Sequence, residues 1–144
     1  MKQNSAKIGH FLAIVNVYKE MNQLGDLHSF IEEPKYGKKG EGAEPDIYCS
    51  FRKTPFFIEV QRTIYSEKQM NDKLARYADL FNSGILPDSP HVLILSDQRY
   101  AIDGEYPFKI FQAESFTLFI QSLKMVTFPE PIKINSGGLK RVVR

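Results

Sequence analysis

From Ala6 to Leu24 the apolar residues Ile8, Phe11, Leu12, Val15, Tyr18 and Met21 recur at helical spacing, and Gly25 stands where a helix would end. The pattern predicts a first helix. Leu27 to Glu33 alternates weakly, as a strand does, and the Gly/Lys-rich loop from Lys35 to Gly42 offers no side chains suited to a core. Two further strands, about Asp46 to Arg52 and Pro55 to Gln61, are joined by the polar link Lys53-Thr54 and read as a hairpin. Ser66 and Gln69 have the spacing of a capping box, and Met70, Leu74, Tyr77, Ala78 and Phe81 behind them mark one face of a second helix that Gly84 closes. His91 to Ser96 is a continuous apolar run, the mark of a central strand buried on both faces. A strand about Phe108 to Phe111 and a helix about Ser115 to Leu123 follow.

This order, α-β-β-β-α-β plus a C-terminal strand and helix, implies an α/β fold. It has a central mixed sheet with a hairpin and a crossover helix, flanked by helices on both faces. At 144 residues the chain has room for one core. Residues 1–128 are expected to form a single domain, and 129–144 a flexible basic tail ending Lys140-Arg141-Val142-Val143-Arg144. A composition 42% hydrophobic and 25% charged is that of a globular protein rather than a disordered one. The net charge of +2 permits a polyanionic partner without requiring one. The lone cysteine, Cys49, cannot form an internal disulfide, and no apolar run reads as a secretory core or a membrane span. The expectation is a cytoplasmic protein without a membrane partner.

Along the third strand Phe57, Glu59 and Gln61 share one face while Phe56, Ile58 and Val60 take the other. A hairpin returns Asp46 to the side of Glu59 and Gln61. Carboxylates so close raise each other's pKa unless a cation intervenes, as at a metal site. The plainer reading is a solvated polar face, with Asp46 a turn residue after Pro45. Lys73 and Tyr77 lie one helical turn apart. Tyr77 reads as core or as site, and Lys73 as a solvated cation or as a group holding phosphate or positioning water. Glu33 is a candidate further metal ligand and Glu20 its rival, while His10, His28 and His91 share no ligand spacing and read as structural. Lys35, Lys38, Lys39, Arg52, Lys53, Arg62, Lys140, Arg141 and Arg144 are candidates for phosphate contacts, although solubility accounts for such residues equally well.

Pro45-Asp46, then Phe57-Ile58-Glu59-Val60-Gln61-Arg62-Thr63, then Lys73-Leu74-Ala75-Arg76-Tyr77 resembles the PD-(D/E)xK nuclease superfamily, most of all its plasmid replication-relaxation family. His10-Phe11-Leu12 to Tyr18 is similar to that family's first helix and Phe30-Ile31-Glu32-Glu33 to its first strand, so the likeness covers about residues 8–96. It implies a restriction-endonuclease-like core that cuts DNA with Mg²⁺ or Mn²⁺ in replication of a plasmid, phage or other mobile element. Asp46, Glu59 and Glu33 would hold the metal, and Gln61 and Lys73 would serve the chemistry. It also implies replication proteins as partners, and a homodimer as the arrangement by which many such nucleases cut two strands. Gln61 departs from the superfamily's Lys and the family's Asp, and is similar to the Glu-x-Gln of nuclease domains in competence proteins. Glutamine orients water but brings no charge. Two readings follow, a working deoxyribonuclease and a non-catalytic DNA-binding or replication-accessory module, with a protein-interaction domain as a third. The family's usual winged-helix segment is expected to be missing ahead of this domain.

Overall fold

The computed structural model describes residues 2–36 and 42–127. Helix α1 (Lys2–Leu24) leads into β1 (Leu27–Glu32), β2 (Ile47–Phe51), β3 (Thr54–Val60), α2 (Glu67–Asn82), β4 (His91–Leu95), β5 (Ile110–Ala113) and α3 (Phe116–Thr127). The five strands form one mixed sheet in the order β1-β2-β3-β4-β5. β1, β2 and β3 run antiparallel to one another, and β3, β4 and β5 run parallel. Parallel pairing of β3 with β4 needs a crossover, and α2 provides it.

Alternation along the strands builds two cores, one on each face of the sheet. Cys49, Phe51, Phe56, Ile58, Leu93 and Leu95 pack against Ile14, Val17 and Met21 of α1 and Phe116, Phe119 and Ile120 of α3. On the opposite face Phe57, Val92 and Ile94 pack against Met70, Leu74, Tyr77 and Leu80 of α2. The result is a three-layer α/β/α arrangement. β4 is buried along Val92–Leu95, as its uninterrupted apolar run predicts.

Several details differ from the sequence expectation. The face α1 buries is Ile14, Val17 and Met21; of the expected stripe Met21 is buried, Ile14 and Val17 take the place of Val15 and Tyr18, and Ile8, Phe11, Leu12 and Tyr18 stay exposed. Apolar residues lie all round this helix, so periodicity does not choose its face. Tyr18 instead meets Phe30 of β1 edge-on at 4.9 Å. The hairpin turns at Arg52-Lys53 rather than Lys53-Thr54: Thr54 pairs with Phe51, and Arg52 and Lys53 have φ of 51° and 67°. Two left-handed residues are what a type I′ turn needs to match the twist of the strands. β5 lies two residues later than expected, and α3 runs four residues beyond Leu123.

Because Lys53 holds a conformation that favours glycine, Lys53→Gly is expected to stabilise the domain by roughly 0.5 kcal/mol. A denaturant midpoint that rises with an unchanged slope would bear this out, and a fall would contradict the turn assignment.

Candidate active site

Pairing of Ile47 with Ile58 sets Asp46 across from Glu59 at the end of the hairpin remote from its turn. The Val60 N–H donates to Asp46 Oδ2 at 2.7 Å, so β3 itself grips the side chain that precedes β2. Asp46 Oδ1 lies 3.0 Å from His10 Nε2 of α1. Glu59 is a charged residue in the core, 2% exposed. Two donors from α2 reach it: Lys73 Nζ stands 2.7 Å from Oε1, and the Tyr77 hydroxyl donates to Oε2. Residues 73 and 77 share a helix face because they are four apart. The start of α2 is fixed in turn by a capping box, in which the Ser66 side chain accepts from Gln69 N and the Gln69 side chain from Ser66 N.

Burial raises the pKa of Asp46, against the Val60 hydrogen bond and the charges of His10 and Lys73. For Glu59 burial dominates as well and pushes the carboxyl up to about 7, with Lys73 pulling down and Asp46 pushing up. Burial also works against charge on Lys73, but the Glu59 carboxylate outweighs it and holds the ammonium protonated. The Tyr77 hydroxyl is driven well above its ordinary value, first by burial and then by Glu59. It is a donor only.

Gln61 continues β3 past its last paired residue, its N–H donating to Leu95 O at 2.9 Å. Its Oε1 accepts from the Tyr100 hydroxyl at 2.7 Å, and its Nε2 is shielded from solvent with no acceptor among the described residues. Arg62 follows and lies against Gly9 of α1, where a Cβ would fall 2.1 Å from Nη1. Gly9 therefore leaves room for the guanidinium beside His10. His10, Asp46, Glu59, Gln61, Arg62 and Lys73 line one cleft of about 290 Å³. An adjoining cleft of about 210 Å³ shares Asp46 and Lys73 and adds Glu33, Lys35 and Arg76.

Of the residues singled out in the sequence, Asp46, Glu59, Gln61, Arg62 and Lys73 meet here. Glu33 is exposed at the rim of the adjoining cleft, and its N–H donates to Asp46 O at 2.8 Å. Among the described residues no group of three or more His, Cys, Asp or Glu side chains is arranged to hold a metal ion. Glu20 is occupied elsewhere, accepting from Thr117 N and Oγ1 at the start of α3. Arg52 and Lys53 sit at the opposite end of the hairpin, about 20 Å away at ~3.3 Å per residue. Lys38, Lys39, Lys140, Arg141 and Arg144 lie outside the described residues, as does the expected basic tail. His10, read as structural from its lack of ligand spacing, lines the cleft. Tyr100 gave no signal in the sequence, since its role depends on how the segment between β4 and β5 folds back.

Compared with models of protein families, with curated proteins and with solved structures, the chain matches none.

The raised Glu59 pKa has a definite sign for stability. In the unfolded chain the carboxyl ionises near 4.5 and in the folded one near 7, so its contribution to stability is fully present below 4.5 and is lost as pH rises through 7. In metal-free buffer the loss is expected to reach up to about 3 kcal/mol, at ~1.4 kcal/mol per pKa unit. Glu59→Gln should flatten this decline in denaturant titrations across the same range. A pH dependence identical in wild type and Glu59→Gln would contradict the assignment.

Proposed function

We propose that this protein is a divalent-metal-dependent DNA nuclease of the PD-(D/E)xK type. In this reading it is a nicking or structure-directed endonuclease serving replication of a plasmid, phage or other mobile element. The observation that carries the reading is the ion pair of Lys73 with Glu59, because it brings an ammonium from α2 to the acidic pair where β3 offers only the neutral Gln61. The element order, with Asp46 and Glu59 across a hairpin and α2 behind them, supports a restriction-endonuclease-like core.

The donor set suits Mg²⁺ or Mn²⁺. Such ions are commonly held by one or two carboxylates, with water and substrate phosphate completing the shell. Asp46 and Glu59 supply the carboxylates, and Glu33 is near enough in sequence and space to serve the adjoining cleft. When bound, the ion supplies Lewis acidity at the phosphate and a more acidic water. The protein's own groups do the rest. Arg62 and Lys35 neutralise the DNA backbone on either side of Asp46, Lys73 offers an N–H to a phosphate oxygen or the attacking water, and Gln61 orients without charge. His10 holds Asp46 from α1.

A second reading is favoured by one specific observation. Both oxygens of Asp46 and of Glu59 already meet proton donors of the protein, which is how a site held together without metal would look. The protein would then be a non-catalytic DNA-binding or replication-accessory module. Supercoiled plasmid separates the two. The nuclease reading expects nicking that needs Mg²⁺ or Mn²⁺ and is lost in both Asp46→Ala and Glu59→Ala, with DNA still retarded on gels in EDTA. Mn²⁺ at a hundredfold excess over its Kd should also stabilise the wild type by about 2.7 kcal/mol and leave Asp46→Ala unmoved. Wild type as inert as both variants, yet still binding DNA, would establish the accessory reading instead.

A further inference from the structure

The segment between β4 and β5 sends one buried side chain to the cleft. Tyr100 is 3% exposed, and its hydroxyl stands between two groups of the loop that leaves β3. It accepts from Tyr65 N at 3.0 Å and donates to Gln61 Oε1 at 2.7 Å. Its own backbone is clamped from β5, since Gln112 Oε1 accepts from Tyr100 N at 2.7 Å while Gln112 Nε2 donates to Tyr100 O at 2.9 Å. The loop is tied a second time where Ala101 N donates to the first-turn residue Glu67 at 2.9 Å.

Donor and acceptor counting fixes what this does to Gln61. The Tyr65 N–H can only donate, so the Tyr100 hydroxyl receives there and gives its own proton to the Gln61 carbonyl oxygen. The opposite flip of the amide would set NH₂ against a hydroxyl already accepting a proton, and would leave that hydroxyl's proton without an acceptor. The amide is thus held with its NH₂ as the uncommitted end. That NH₂ is shielded from solvent and has no acceptor among the described residues, an arrangement that disfavours the folded state until an oxygen is supplied.

We propose that Tyr100 is a positioning residue that holds the Gln61 amide as a donor reserved for an anionic oxygen of the DNA backbone, which reaches the NH₂ when the protein atoms now covering it part. The inference rests on the nuclease reading for its catalytic consequence only. The donor role applies equally to a module that binds DNA without cutting it.

Tyr100→Phe keeps the ring and removes the hydroxyl. In protein with ¹⁵N-labelled glutamine, titrated with a short DNA duplex in EDTA, the Gln61 NH₂ resonances are expected to shift in the wild type and to shift far less in Tyr100→Phe. In plasmid nicking with Mn²⁺, Tyr100→Phe is expected to lose about tenfold in kcat with KM within about twofold, and to cause no further loss in a Gln61→Ala background. A merely structural tyrosine would instead give additive losses. Gln61 NH₂ resonances unmoved by duplex, or a Tyr100→Phe loss that persists without Gln61, would overturn the proposal. A wild type that never nicks DNA but whose Gln61 NH₂ responds to duplex would leave the proposal standing and remove the nuclease reading.

Discussion

A carboxylate cannot be left alone in a protein interior, and the placement of Glu59 organises much of the rest. Its strand lies in the middle of the sheet, and its neighbours on the same face, Phe57 and Ile94, belong to the core beneath α2. An unpaired charge there would be far costlier than any single apolar contact could offset. α2 answers with Lys73 and Tyr77, and the rotation of the helix about its axis follows from having to deliver both. The same rotation turns Met70, Leu74 and Leu80 into the core. Packing and polar satisfaction therefore select one docking of α2 on the sheet.

Around this pair the hairpin and α1 complete the cleft. Asp46 is held by a backbone amide of β3 and by His10, so the two carboxylates are fixed from opposite layers of the fold. Burial favours their neutral forms and Lys73 favours their ionised ones, a balance any approaching cation would tip. A divalent ion would compete with Lys73 for Glu59. On the nuclease reading, that competition is what would release the ammonium towards substrate.

Much of this was legible from the chain. The period-two alternation of β3 put Glu59 and Gln61 on one face, the capping box located α2, and the run HVLIL marked an interior strand, because each is a local rule the fold obeys. The turn was misplaced by one residue because Arg and Lys are not the residues that announce a left-handed pair. Periodicity does not choose the buried face of α1 because Ile8, Phe11, Leu12 and Tyr18 are apolar yet exposed, so apolar residues surround the helix. His10 and Tyr100 were invisible for a different reason. Their partners Asp46 and Gln61 are 36 and 39 residues away, and no local period encodes a contact made across layers.

The most direct test of the account is to locate a metal. Crystals grown or soaked with Mn²⁺ and measured at its absorption edge would show where the ion sits. The account predicts an anomalous peak between the carboxylates of Asp46 and Glu59, with the 2.7 Å contact of Lys73 to Glu59 lengthened. The absence of a peak there at saturating Mn²⁺, with that contact unchanged, would contradict it.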